Sequence, residues 1–104
     1  MNVARIPEWR PKAWEDVEGH AVSVGSAGQK FLDRIDDTVE LLCLHPEIGS
    51  VFETSNPRLV GLRAKLVLDF RRFVVFYRSN AETIEFVRVL VGGQDMYASI
   101  DAEA

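Results

Sequence analysis

A chain of 104 residues, 47 % hydrophobic and 27 % charged, has the composition of an ordinary folded unit, residues 1–104, and is not that of a disordered or fibrous polypeptide. No window approaches the ~18 uncharged apolar residues of a membrane span. Met1-Asn2-Val3 begins no signal peptide, and one cysteine, Cys43, excludes an internal disulfide framework, so a reducing, cytoplasmic setting is expected. The net charge of −4 argues against broad coating of nucleic acid, but it is unevenly spread. Residues 1–57 carry five Lys/Arg against ten Asp/Glu, residues 58–88 carry seven against three, and residues 89–104 carry three carboxylates and no cation.

Val3-Ala4-Arg5-Ile6 reads as a short strand ended by Pro7, which cannot donate to a ladder. A helix starts at Pro11, a favoured first helical residue, and Trp14, Val17, Ala21 and Val24 follow at spacings of three and four as its apolar stripe. Gly25 is placed to end it. Ser26-Ala27-Gly28-Gln29 has the S-x-x-Q form of a capping box, which predicts the start of a second helix. Its stripe is Phe31, Ile35, Val39 and Leu42, joined by Leu32 and Cys43, and Pro46 and Gly49 stop it. The two helices read as an αα-hairpin that needs a shared platform.

The platform is the second half. Leu62–Leu68, Arg71–Ser79 and Thr83–Val91 are strand-like, with a turn at Ser79-Asn80-Ala81-Glu82, and predict an antiparallel meander. Period-two parity divides these residues. One face receives Leu62, Ala64, Leu66, Leu68, Phe73, Val75, Tyr77, Val87, Val89 and Val91, an apolar set expected to pack on the helices. The other receives Arg63, Lys65, Val67, Arg72, Val74, Phe76, Arg78, Ile84, Phe86, Arg88 and Leu90. Large apolar residues interleaved with five cations make a poor core and a good docking face for an acidic, amphipathic partner.

The segments AGQKFLDRIDDTVELLCLHPEIG at Ala27–Gly49, Gly61-Leu62-Arg63, FRRFVVFYR at Phe70–Arg78 and FVRVLVGGQDM at Phe86–Met96 together resemble the RelE/ParE superfamily of toxins from bacterial type II toxin–antitoxin systems. The likeness is to the ParE branch and covers roughly residues 25–97; the first 24 residues match only in kind. It implies an α+β fold with an N-terminal strand, a helical hairpin on a three-stranded antiparallel meander, and a short C-terminal segment. It also implies a cognate antitoxin that wraps the toxin with its C-terminal segment. The expected antitoxin contacts are Arg63, Lys65, Arg72, Val74, Phe76, Arg78, Phe86 and Arg88.

Two activities occur in the superfamily. ParE-like members poison DNA gyrase, and RelE-like members cleave messenger RNA on the ribosome. Cleavage by 2′-hydroxyl attack needs a proton acceptor, cations for the transition state and an acid for the leaving oxygen. Arg72, Arg88 and Tyr97 are the candidates for such a site. Gln94 stands where the resemblance places a second nuclease arginine, Val91 where many relatives have histidine, and no histidine lies beyond His45. The resemblance therefore favours a gyrase inhibitor over an mRNA interferase, with a non-toxic antitoxin-binding relative as a third reading. No cofactor, metal, membrane or sequence-specific nucleic-acid partner is expected. Cys43 and His45 lack a second ligand pair, Gly92-Gly93 reads as a strand-ending turn, Asp95 as the cap of a short terminal helix, and Trp9 and Trp14 as packing anchors.

Overall fold

The structure, a computed structural model, describes residues 3–93 and 95–103. Ile6–Trp9 form β1, Pro11–Ser23 α1, Gly28–Leu44 α2, Ser50–Val51 β2, Arg63–Val67 β3, Phe70–Ser79 β4, Thr83–Val91 β5 and Asp95–Asp101 α3. Short 3-10 turns lie at Gly25–Ala27, Pro46–Ile48 and Pro57–Leu59. The sheet order is β1-β5-β4-β3-β2, with β1 parallel to β5 and every other pair antiparallel. The predicted meander is its centre, and β2 is a two-residue edge strand that the sequence did not announce.

The first strand lies later than expected, because Pro7 sits inside β1 instead of ending it. Ile6 and Arg10 donate their N–H groups to the carbonyls of Glu82, just before β5, and of Phe86 within it, so the backbone N–H sites of the alternate positions Pro7 and Trp9 point away from β5. A proline there forfeits no ladder bond. Beyond Trp9 the chain turns into α1, which takes over the edge of β5 that β1 leaves bare. Asp16 accepts the Val89 N–H at 3.0 Å, and His20 Nε2 donates to the Val89 carbonyl at 2.7 Å. Side chains of a helix thus complete a strand edge.

The helical hairpin forms as predicted but not through a capping box. Ser26 falls within the 3-10 turn, α2 begins at Gly28 with no side-chain cap, and Gln29 donates instead to Asp33. Gly25 takes φ +63°, a left-handed conformation that glycine adopts freely, and a Cβ on Gly28 would stand 2.7 Å from the Ala21 carbonyl oxygen. The tight crossing of the helices therefore depends on glycine geometry. Along α2 the buried positions are Phe31, Ile35, Thr38, Leu42 and Cys43, while Val39 is half-buried. Thr38 is tolerated inside because its hydroxyl donates to Arg34 O and accepts from Leu68 N.

Two cores result, one on each sheet face. The first joins Ala13, Val17, Phe31, Ile35, Leu42 and Cys43 of the helices to Val67, Phe73, Val75, Tyr77, Ile84, Phe86 and Val89 of the sheet. Large side chains buried to this degree contribute roughly 1.5–3 kcal/mol each. The second lies on the opposite face and joins Val74, Phe76 and Val87 to Leu59, Leu62 and Ile100, with Phe52, Ala64, Leu90 and Met96 at its margin. The face expected to be open is therefore covered by the chain's own segment between β2 and β3 and by α3.

The expected sides hold for β4 and fail for much of its neighbours. β3 pairs with β4 as Arg63↔Tyr77, Ala64↔Phe76, Lys65↔Val75 and Leu66↔Val74. Cross-strand partners share a face, so Arg63, Lys65 and Val67 belong to the helix side. Leu62 and Ala64 join the second core, and Leu66 is exposed on that same face. In β5 the pairing runs Phe76↔Arg88 and then Tyr77↔Phe86, which leaves Val87 as an extra residue. This bulge puts Ile84 and Phe86 beneath the helices with Val89 and turns Val87 to the other side.

Candidate interaction site

The expected docking residues separate into three environments. Val74, Phe76 and Phe86 are buried, Phe86 under the helices and the other two under the second cover, so these three are not an exposed apolar surface. Arg63, Arg78 and Arg88 are occupied by the chain itself. Lys65 is half-buried, and Arg72 is exposed, with its guanidinium carbon 4.9 Å from the Phe73 ring centroid.

The occupied arginines bind different parts of the chain together. Arg63 donates to the carbonyls of Glu47 and Gly49, at 3.1 and 2.7 Å, and so fixes the turn that follows α2. Beside it the buried Tyr77 hydroxyl accepts from Gly49 N at 2.9 Å and donates to Pro46 O at 2.6 Å. Burial pushes the Tyr77 phenol above its ordinary value, with the Gly49 bond partly opposing. Arg78 and Arg10 both donate to Glu85, at 2.7 and 3.1 Å, and Arg78 also bonds the Arg58 carbonyl. Partial burial pushes the Glu85 carboxyl up, but the hydrogen bonds from Arg78 and Arg10 outweigh it and hold the group below its usual range.

Arg88 forms the densest charge cluster. Its Nε and one terminal nitrogen meet the two oxygens of Asp16 at 2.7 and 3.0 Å, and its other terminal nitrogen lies 3.3 Å from Glu103. The Arg88 side chain is 13 % exposed, Asp16 14 % and Glu103 8 %. The hydrogen bonds of Asp16 push the guanidinium above its already high value, against the opposing effect of burial. Lys12 adds a cation 3.8 Å from Glu103. The network joins α1, β5 and the residues after α3.

The nuclease candidates do not form one site. Arg88 faces two carboxylates, Arg72 stands on the open surface at the start of β4, and Tyr97 is an exposed residue of α3 whose ring stacks on Phe52 at 4.9 Å. Gln94, at the position of the second nuclease arginine, lies outside the described residues. Cys43 is buried, and burial pushes its thiol up, away from the reactive thiolate. Among the described residues no group of three His, Cys, Asp or Glu is placed to hold a metal ion, and no helix is long and apolar enough to cross a membrane.

An open apolar surface does exist, on the outside of the helical hairpin. A groove of about 500 Å³ between α1 and α2 is lined by Trp14, Ala21, Val22, Leu32 and Ile35, with Glu18, Gln29 and Asp36 at its lip. Trp14 is 44 % and Val22 82 % exposed. Sequence reasoning assigned Trp14 to the buried stripe and passed over Val22. The signal for it in the sequence is that Val22 is a large apolar residue lying off the α1 stripe, whereas Leu32 is half-buried and also packs against the first core. Trp14 is held in place by the edge of its ring against Trp9, centroids 5.3 Å apart, and Trp9 in turn stacks on Phe86 at 4.6 Å.

Comparison with known proteins follows the same lines as the fold. The family described as "ParE toxin of type II toxin-antitoxin system, parDE" matches residues 8–96. Among solved structures, the chain is similar to one described as "Chromosomal ParDE TA system from P. aeruginosa", at 19 % identity and a TM-score of 0.64, over 86 % of this chain and 98 % of that one. No curated protein matches the sequence.

Proposed function

Because this chain belongs to the ParE toxin family of type II toxin–antitoxin systems, we propose that it is a toxin acting by binding, with DNA gyrase as its target and a cognate antitoxin as its neutralising partner. The observation that carries the non-catalytic part is the state of Arg88. A cation that stabilises a phosphorane-like transition state must be free to face the substrate phosphate. Here it is matched by two carboxylates and largely withdrawn from solvent. An incoming phosphate would have to displace Asp16, whose other role is to complete the edge of β5. The solved structure it resembles is described as a ParDE TA system, which supports an antitoxin partner.

Of the expected antitoxin contacts, the exposed Arg72 and the half-buried Lys65 are proposed to meet an acidic stretch of the antitoxin. Arg63, Arg78 and Arg88 serve the fold first, so replacing them tests stability rather than recognition. The proposal is tested with purified protein in two assays run in parallel. Accumulation of cleaved plasmid in the presence of gyrase and ATP, with no ribosome-dependent cutting of messenger RNA, is the expected result. Ribosome-dependent cutting with no effect on gyrase would replace this reading by the interferase one. Absence of both activities alongside tight antitoxin binding would make the chain a non-toxic member.

A further inference from the structure

At the end of α2 the chain leaves large apolar side chains in the open and then fixes the turn that carries them. Leu44 is 41 %, Ile48 44 % and Val51 66 % exposed. Arg5 donates its N–H to the Cys43 carbonyl at 2.9 Å, which brings the segment before β1, with its exposed Val3, to the same corner. Val51 pairs with Arg63, whose guanidinium donates to the carbonyls of Glu47 and Gly49, while the buried Tyr77 hydroxyl bridges Gly49 N and Pro46 O. Four hydrogen bonds thus hold a turn whose outer side chains meet solvent. Core packing accounts for the buried Pro46 but not for Leu44, Ile48 or Val51. A rigid element that displays apolar groups binds without the ordering cost of a flexible one.

The exposed charges of this corner are acidic. Glu40 to Pro57 contains three glutamates and no Lys or Arg. Glu47 and Glu53 are exposed, and neither has an ion pair among the described residues. α2 has no basic residue in its last turn, so the negative end of its dipole adds to the same field. The neighbouring cations Arg5, Arg63 and Lys65 are half-buried. Arg5 is turned to the Asn80 carbonyl and Arg63 to those of Glu47 and Gly49.

We infer that this corner, Leu44, Ile48 and Val51 bordered by Glu47 and Glu53, is the surface that meets the target protein, and that the target offers it an apolar pocket rimmed by Lys or Arg. That there is a target rests on the toxin reading above. Charge separates the target from the antitoxin, because an acidic stretch suited to Arg72 is repelled by Glu47 and Glu53. Distance separates them too: Arg72 and Tyr77 lie five residues apart on β4, about 17 Å at 3.4 Å per residue. A second copy docked symmetrically would bring Glu47 and Glu53 against their own kind, which disfavours it as the occupant.

Purified gyrase with plasmid and ATP is the assay, and Ile48→Asp the first variant. A charge in the apolar centre is expected to raise the concentration of chain needed for half-maximal plasmid cleavage by about tenfold or more, with helical circular dichroism and urea midpoint unchanged. Glu47→Lys/Glu53→Lys, which leaves the apolar groups in place, is expected to raise it about three- to tenfold at low salt and less at high salt. The double variant also decides the matter should Ile48→Asp lose its fold. Cleavage as in the parent by both variants would overturn the assignment and leave the toxin reading standing. Self-association of the parent that Ile48→Asp abolishes, or antitoxin binding lost while cleavage persists, gives the corner to another occupant and overturns it as well. A parent chain without effect on gyrase refutes the gyrase target, and the corner is then read by growth arrest on expression without antitoxin. Relief of arrest by both variants at equal protein level keeps the assignment for a different target. Arrest as strong as the parent's, or no arrest by the parent, overturns it.

Discussion

Replacing Arg88 with methionine keeps most of the side chain's length and removes its charge, leaving the Asp16 and Glu103 carboxylates, 14 % and 8 % exposed, on the same side of β5 without their shared cation. Breaking a buried pair by deleting one partner costs about 3–5 kcal/mol. Here the lower end applies, because Asp16 keeps the Val89 N–H at 3.0 Å and Glu103 keeps Lys12 at 3.8 Å. A loss of about 3 kcal/mol is expected, which for a chain of this size lowers Tm by about 12–20 °C. Urea unfolding followed by circular dichroism measures it. Glu103→Gln, which disturbs only the 3.3 and 3.8 Å contacts, is expected to cost no more than about 1 kcal/mol. An Arg88→Met loss below about 1 kcal/mol would refute the view that the cluster holds the fold together. Full stability combined with lost growth arrest would return Arg88 to a functional role.

Tyr77→Phe removes the hydroxyl that serves both Gly49 N and Pro46 O in a buried site, and is expected to cost about 2 kcal/mol with an unchanged denaturant slope; a loss under about 0.5 kcal/mol would mean that water replaces the hydroxyl. Glu85 is held below the usual carboxylate range in the folded state, so its pairing with Arg78 and Arg10 stabilises above about pH 4.3, the ordinary glutamate value, and is lost as pH falls through the lower folded value. Stability measured from pH 7 to pH 3 should therefore fall less steeply in Glu85→Gln than in the parent chain, and parallel curves would contradict the assignment. Arg72→Glu is expected to weaken antitoxin binding with little change in stability, because its side chain is exposed; unchanged affinity would remove the acidic-stretch contact.

Much of the architecture was legible in the sequence because it depends on local periodicity. The helix from Pro11 buries Val17 of its expected stripe, the second helix buries Phe31, Ile35 and Leu42, and the central strands follow runs of Val, Phe, Tyr and Ile. Departures at the ends have local causes that compete with the pattern: a 3-10 turn overrides the apparent capping box at Ser26, and an edge position admits Pro7 into β1.

Sidedness was decided elsewhere. A period of two means that a one-residue offset moves a whole strand to the opposite face, and two such offsets occur: the pairing set by the Leu68-Asp69 hairpin, with Asp69 at φ 63°, and the extra residue Val87 in β5. They carry Arg63, Lys65, Ile84 and Phe86 to the helix side, opposite to the side that parity assigns them. Which face stays open depended on contacts distant in the chain: Asp16 to Arg88, 72 residues apart, and Ile100 folded over Phe76 and Val87. Composition and order thus determined which elements form and which family the chain joins. Only tertiary packing decided that Arg63, Arg78 and Arg88 bind the fold and that an open apolar groove lies on the helical hairpin.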